Sequence, residues 1–202
     1  VCEIRPERLE EVRAQTNPAT ATTDYRDIVA NPDISVVYIS TTPEQTHYPI
    51  ARDCLKAGKH VLLEKPIAME FWEADELIQL ARENGLKFTI GYSQRFNTKV
   101  AYAKSKIADG TLGNVVNVMV SRHLSRTLGT KIASRVRLSP AAMESTHDLD
   151  FVFWMLEPAK PVREYSQGAY GYMKALNGSY DAMWTTVTMD NGMLVVIGGG
   201  WN

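Results

Sequence analysis

The sequence predicts two α/β units in succession: a doubly wound parallel sheet, then an α+β unit with a mostly antiparallel open sheet. Three observations carry this. From residue 34 to 92, short apolar runs alternate with helix-period segments as strand, helix, strand, helix, strand, the order of a doubly wound sheet. From about residue 162, strands follow one another without helices, and Asp190-Asn191-Gly192 between the last two is a hairpin signal. The pattern changes after Gln94-Arg95-Phe96-Asn97, which puts the units at 1–94 and 95–202.

Each element follows from local chemistry. Val1-Cys2-Glu3 reads as the last residues of a strand. Pro6 to Arg13 reads as a helix with proline in its first turn. Tyr25 to Val29 is a short helical stretch, and Asn31-Pro32-Asp33 a turn. Ile34 to Ser40 is a β-rich apolar run. A helix spans about His47 to Ala57, with Gly58 as its stop. Val61-Leu62-Leu63, bounded by Gly58 and Pro66, has the pattern of a strand buried on both faces. Glu70 to Asn84 is a helix whose Phe71, Ala74, Leu77, Ile78 and Ala81 share a face, and Leu86 to Tyr92 is the next strand. Thr98 to Asp109 reads as a helix and Val115 to Val120 as a strand. Residues 121–139 carry Arg122, Arg126, Lys131, Arg135 and Arg137 among few large apolar residues. Two readings stay open for them: a mobile loop near a site, or a solvated basic surface segment. His147 to Leu156 is helical, with Leu149, Phe153 and Leu156 facing the core; strands follow at about 162–170, 181–189 and 193–198.

Composition narrows the function classes. In 202 residues with 45% hydrophobic and 22% charged side chains, the formal net charge is −1, so neither nucleic acid nor an anionic membrane surface is a general partner. No apolar run reaches the roughly 18 residues a membrane span needs. No signal peptide opens the chain. The two cysteines, Cys2 and Cys54, read as buried free thiols in a reducing cytoplasm. No spacing of His and Cys suggests zinc, and no metal is expected.

The stretch with most chemistry is Gly58 to Pro66. Its strand ends on Glu64-Lys65-Pro66, and ligands of open α/β sheets bind beyond the carboxyl ends of the strands. A lysine there can set an ammonium against a substrate oxygen; the plain reading is a surface lysine paired with Glu64. Pro66 fixes φ at the exit and lacks an N–H. His147 heads His147-Asp148-Leu149-Asp150, and imidazole suits general-base work near neutral pH. Ser40, Thr41 and Pro43 follow a strand end, where a hydroxyl can meet a phosphate or ribose oxygen or serve only the turn and the helix cap. Gln94 and Arg95 stand at another strand end; Arg95 can reach a ligand oxygen or tie the two units together.

Ala57-Gly58-Lys59-His60-Val61-Leu62-Leu63-Glu64-Lys65-Pro66 resembles the signature of the Gfo/Idh/MocA (glucose–fructose oxidoreductase / inositol dehydrogenase) family. Ser40-Thr41-Thr42-Pro43 with His47, Gln94-Arg95-Phe96, and His147-Asp148-Leu149-Asp150 agree with it in order and spacing. The resemblance implies a Rossmann-type dinucleotide-binding domain, a substrate domain that also mediates homodimer or homotetramer assembly, and NAD(P)-dependent dehydrogenation of a sugar, cyclitol or related alcohol. It assigns Lys65 to hold the reacting oxygen, His147 to take its proton, and His47 to a position near the cofactor. Glu64 either orients Lys65 or contacts the cofactor. In the family's pattern an aspartate precedes the histidine by four; Met143 occupies that position here and Glu144 the next. Either Glu144 substitutes, or the acid is absent and the chain is a catalytically silent dinucleotide- or sugar-binding sensor or scaffold. Glu144, His147 and Asp148 as a metal cluster is the weaker reading, because an acid/base pair explains them.

Dinucleotide folds open with a strand, a Gly-rich turn and a helix, with an acidic residue about 20 positions after the glycines. Glu3 sits where that acid belongs and no G-x-G-x-x-G is present, so about 30 further residues are expected ahead of Val1. A continuation beyond Asn202 is expected as well. Glu3 would accept from a ribose 2′-OH and repel a 2′-phosphate, with Arg5 close enough to soften the choice. NAD is therefore expected over NADP: kcat/KM of the full-length protein should be higher for NAD, and a higher value for NADP overturns the assignment to Glu3.

Overall fold

In the computed structural model, residues 1–201 are described except Arg135 and Arg137. The chain divides into two units, Val1–Gly91 and Tyr92–Asn202, each with its own core.

In the first unit, Cys2 makes a single parallel bridge to Thr22 where a strand end was expected. Helix α1 (Pro6–Thr16) has proline in its first turn, and α2 (Tyr25–Ala30) is capped by Asp24, which accepts from Arg26 N. Strand β1 (Val36–Ile39), helix α3 (His47–Lys56), strand β2 (His60–Leu63), helix α4 (Phe71–Glu83) and strand β3 (Phe88–Ile90) follow. The three strands are parallel in the order β1-β2-β3. Ile39, Leu63 and Ile90 share one rung, so the residues after them leave along one carboxyl edge. Gly58 ends α3 at φ 77°, a left-handed conformation that disfavours other residues. The buried Lys59 donates from Nζ to Asn31 O at 2.6 Å and Ile34 O at 2.7 Å, fixing the entry to β2.

Ile39, Val61 and Leu63 pack on Ala51, Cys54 and Leu55 of α3 and Leu77 and Ala81 of α4. Burial pushes the Cys54 thiol up to about 11, so it is an inert packing group. Two expectations are corrected. Leu62, flanked by buried neighbours, is 36% exposed, because strand side chains alternate and only one face is covered among the described residues. Phe71 is 93% exposed: it is the first residue of α4, ahead of the turns that pack. Glu70 and Glu73 form a capping box there.

The second unit contains α5 (Thr98–Ala108), β4 (Asn117–Leu124), α6 (Arg126–Ala133), α7 (Thr146–Leu156), β5 (Pro161–Ala169), α8 (Tyr172–Asn177), β6 (Ala182–Met189) and β7 (Leu194–Trp201). Its sheet runs β4-β7-β6-β5; β4 and β7 are parallel and the other pairs antiparallel, with a hairpin at Asp190–Gly192. Val187, Met189, Val195 and Ile197 pack on Val152, Met155 and Leu156 of α7, with Leu149, Phe153 and residues of α5 around them. The opposite face carries the rung Met119, Val196, Thr186 and Tyr165, of which Met119 and Tyr165 are largely exposed.

The stretch 121–139 is not one loop. Its first four residues complete β4 and its middle is α6, with Ser125 capping and Ile132 buried. Basic side chains obscured an amphipathic eight-residue helix whose core face is mostly Gly129 and Ile132. Arg135 and Arg137 lie outside the described residues. Helix α8 was missed too, being six residues long with a single buried side chain, Met173.

Candidate active site

The carboxyl edge of the first sheet is built by Ser40, Glu64 and Gly91, the residues just past the shared rung. Glu64 N donates to Ile39 O at 2.9 Å and Gly91 N to Leu63 O at 2.8 Å, extending the ladder one step. The Glu64 carboxylate accepts from Tyr38 Oη at 2.9 Å and lies across Gly91; a Cβ at Gly91 would come within 3.1 Å of it. The edge therefore presents a carboxylate over bare backbone, a shape and acceptor chemistry that fit a ribose. Ser40 is exposed beside it. Lys65 follows, half-buried, with its N–H directed at Glu64 Oε2 at 3.3 Å and a cis bond to Pro66.

Several residues expected to meet a ligand also have partners within the protein. The Thr41 hydroxyl is 2.6 Å from that of Thr46, which donates to Pro43 O at 2.8 Å. His47 is 1% exposed; its Nδ1 lies 2.7 Å from Pro66 O and its Nε2 3.0 Å from Thr41 O. Glu3 accepts from the backbone N of Arg5 at 3.0 Å and from its guanidinium at 3.1 and 3.3 Å. The Arg5 hydrogen bond holds the Glu3 carboxyl below the usual carboxylate range, so it is ionised at neutral pH and carries its own cation.

In the second unit the chemistry gathers on α7. Residues Ala141–Ser145 form a π turn leading into this helix, a distortion common near functional sites. Met143 is 4% exposed and Glu144 half-buried. His147 is half-buried with Nδ1 inside, and the Tyr92 ring meets it edge-on at 6.2 Å. The first turn of α7 is held on three sides. Tyr92 Oη is 3.1 Å from Thr146 Oγ1. Asp148, 1% exposed, accepts from Arg122 Nη2 at 2.6 Å and Nε at 2.9 Å. Asp150 accepts from Arg95 Nη2 at 2.7 Å and Nε at 2.8 Å, with the guanidinium over the Trp154 ring at 5.8 Å. The Asp148 hydrogen bond, with Glu144 also near, raises the Arg122 pKa.

Arg95 is thus committed inside its own unit, to Asp150, and Gln94 Oε1 faces Asn97 Nδ2 at 3.4 Å in the same turn. Tyr38, Tyr92 and Arg122 were not found from sequence. Arg122 was visible only as one of a basic run, and its partner is 26 residues away. Among the described residues no group of three His, Cys, Asp or Glu side chains could hold a metal ion, and no helix is long and apolar enough to cross a membrane.

Residues 1–92 match the family described as "Oxidoreductase family, NAD-binding Rossmann fold". The uncharacterized oxidoreductase YrbE of Bacillus subtilis (strain 168) is 27% identical over 180 residues, 87% of this chain and 51% of that protein. The inositol 2-dehydrogenase/D-chiro-inositol 3-dehydrogenase of Lactiplantibacillus plantarum is 29% identical over 159 residues, 77% of this chain and 44% of that protein. The chain thus spans about half the length of these relatives. The crystal structure of scyllo-inositol dehydrogenase from Lactobacillus casei with bound NAD(H) and scyllo-inositol covers all of this chain and 61% of its own, with a TM-score of 0.87 at 22% identity. At that identity the likeness establishes the fold.

The buried ion pair sets a testable cost. Arg122→Leu leaves the Asp148 carboxylate buried without its partner and should destabilise by about 3–5 kcal/mol, whereas Arg122→Leu/Asp148→Leu should recover much of the loss. Urea unfolding of the three proteins checks this; equal stability of the single variant and the wild type rules out a buried clamp.

Proposed function

We propose that the chain is a member of the Gfo/Idh/MocA family of oxidoreductases and that it carries the dinucleotide-binding and proton-accepting parts of a dehydrogenase acting on a sugar or cyclitol hydroxyl. The observation that carries the reading is the Glu64-Lys65-Pro66 exit, which leaves a parallel sheet beside the bare backbone of Gly91. The inositol dehydrogenase relative, and the neighbour that holds NAD(H) and scyllo-inositol, support the substrate class.

Ser40 and Glu64 offer an exposed hydroxyl and a carboxylate acceptor to the cofactor's ribose hydroxyls. Lys65 brings an ammonium to the reacting oxygen and stabilises its developing negative charge. His147 takes the hydroxyl proton at Nε2, since Nδ1 is inside. Tyr92, Asp148 and Asp150 hold the turn that aims it. Bound NAD supplies the hydride acceptor. Glu144 is assigned the part of the family's aspartate, one position displaced. Two free thiols fit a cytoplasmic location.

A silent sensor is the second reading, and Met143, buried where the family has aspartate, is the observation that favours it. The two readings separate in the full-length protein. With the enzyme reading, Lys65→Ala lowers kcat about 100- to 1000-fold while NAD affinity by calorimetry stays near wild type. His147→Ala lowers kcat roughly 100-fold or more and abolishes the rise of rate with pH that a deprotonating base produces. With the sensor reading, Lys65→Ala weakens NAD binding, His147→Ala only lowers the Tm, and no hydride transfer appears across sugars, cyclitols and amino-sugar derivatives.

The open face of the second sheet, with Met119, Tyr165 and Trp184 exposed, is proposed as the contact of a homodimer or homotetramer. Light scattering at micromolar concentration should give two or four times the chain mass; a monomer removes the proposal.

A further inference from the structure

One imidazole joins the two exits of the first sheet's carboxyl edge. The β1 exit runs Ser40-Thr41-Thr42-Pro43, and the β2 exit runs Glu64-Lys65-Pro66. His47, first residue of α3, lies between them with Nδ1 at 2.7 Å from Pro66 O and Nε2 at 3.0 Å from Thr41 O. Both oxygens are acceptors, so the neutral ring donates to one of them and the doubly protonated ring donates to both at once. At 1% exposure the ring has no open edge for a ligand. These carbonyls belong to residues without regular ladder partners, and a buried carbonyl lacking a donor is costly.

We infer that His47 is a positioning residue: it clasps the Thr41 and Pro66 carbonyls and so fixes the Lys65 exit against the Ser40–Pro43 exit. The functional half of this statement rests on the reading of Lys65 as the group that stabilises charge on the reacting oxygen. The structural half does not. Three further features support a clasp over simple core packing. His47 is the first residue of α3, whereas that helix's core residues, Ala51, Cys54 and Leu55, lie farther along it. The β1 exit is already closed on itself by Thr46, whose N–H and hydroxyl both donate to Pro43 O, so His47 links one preformed turn to the other exit. The clasped residue of the β2 exit is Pro66, next after Lys65, which has no N–H to anchor that exit by itself.

The test uses the full-length protein with His47→Phe, which fills the ring's space without donors, and His47→Gln, whose single amide NH2 can reach one carbonyl. Hydrogen exchange is measured on the cofactor-free proteins. In His47→Phe, exchange should rise about tenfold in both segments 40–46 and 64–70, with the strands β1–β3 unchanged. In His47→Gln one of the two segments should keep its protection. Unchanged exchange in either segment of His47→Phe, or a rise throughout the unit in both variants, overturns the clasp. Kinetics of the same proteins address the functional half: kcat should fall roughly tenfold to a hundredfold in His47→Phe with substrate KM little changed, and recover in part in His47→Gln. A kcat equal to wild type in a His47→Phe protein whose two segments are loosened overturns the link to Lys65. Lys65→Ala with undiminished kcat overturns the reading of Lys65 itself, and the exchange result still decides the clasp.

Discussion

Parallel pairing in register is the constraint on which the first unit's chemistry depends. Because Ile39, Leu63 and Ile90 share one rung, their successors must leave the sheet on the same edge and within a residue of one another. A slip by one residue would turn Leu63 out of the core and carry Lys65 to the wrong side of the edge, since strand side chains alternate. Burial of Ile39, Val61 and Leu63 against α3 and α4 makes that slip costly. The same burial that stabilises the unit thus aims Glu64 and Lys65. Tyr48 and Arg52 add a polar tie between the two covering helices through the Glu76 carboxylate.

The second unit solves a different problem, that of fixing one helix end. The N-terminal end of α7 is held by polar contacts as well as by Leu149 in the core: Thr146 by Tyr92, Asp148 by Arg122, Asp150 by Arg95. Two guanidinium–carboxylate forks impose orientation as well as attraction, because each makes paired, nearly planar bonds. The buried pair contributes little net stability relative to an apolar equivalent, but removing one partner is costly, so it acts as a lock on geometry. His147 sits between these anchors. The π turn just before it shifts the register of Met143 and Glu144 from what an uninterrupted α-helix would give.

Much of the fold was legible because it is written in local signals. Gly58, Gly85 and Gly110 stop helices where expected, and the hairpin at Asp190–Gly192 is where its residues place it. Helix α6 was hidden because its eight residues bury little besides Gly129 and Ile132. Phe71 misled because apolar spacing does not tell a packing residue from one at an unburied helix start. Glu64 and Lys65 drew notice through one continuous motif and His147 through another. The partners of Arg95, Thr41 and His47 within the protein were not foreseen.

The sequence by itself determined the order of most elements and carries the motifs of the family resemblance. These depend on periodicity, turn residues and contiguous motifs, which are properties of neighbours along the chain. Only the tertiary structure decided where the polar side chains are spent. His47 reaches Pro66, 19 residues on; Arg122 reaches Asp148, 26 on; Arg95 reaches Asp150, 55 on. A guanidinium or an imidazole has the same letter whether it meets a ligand or a buried carbonyl. Which it meets follows from desolvation: a group taken out of water must find a partner among whatever the fold brings beside it.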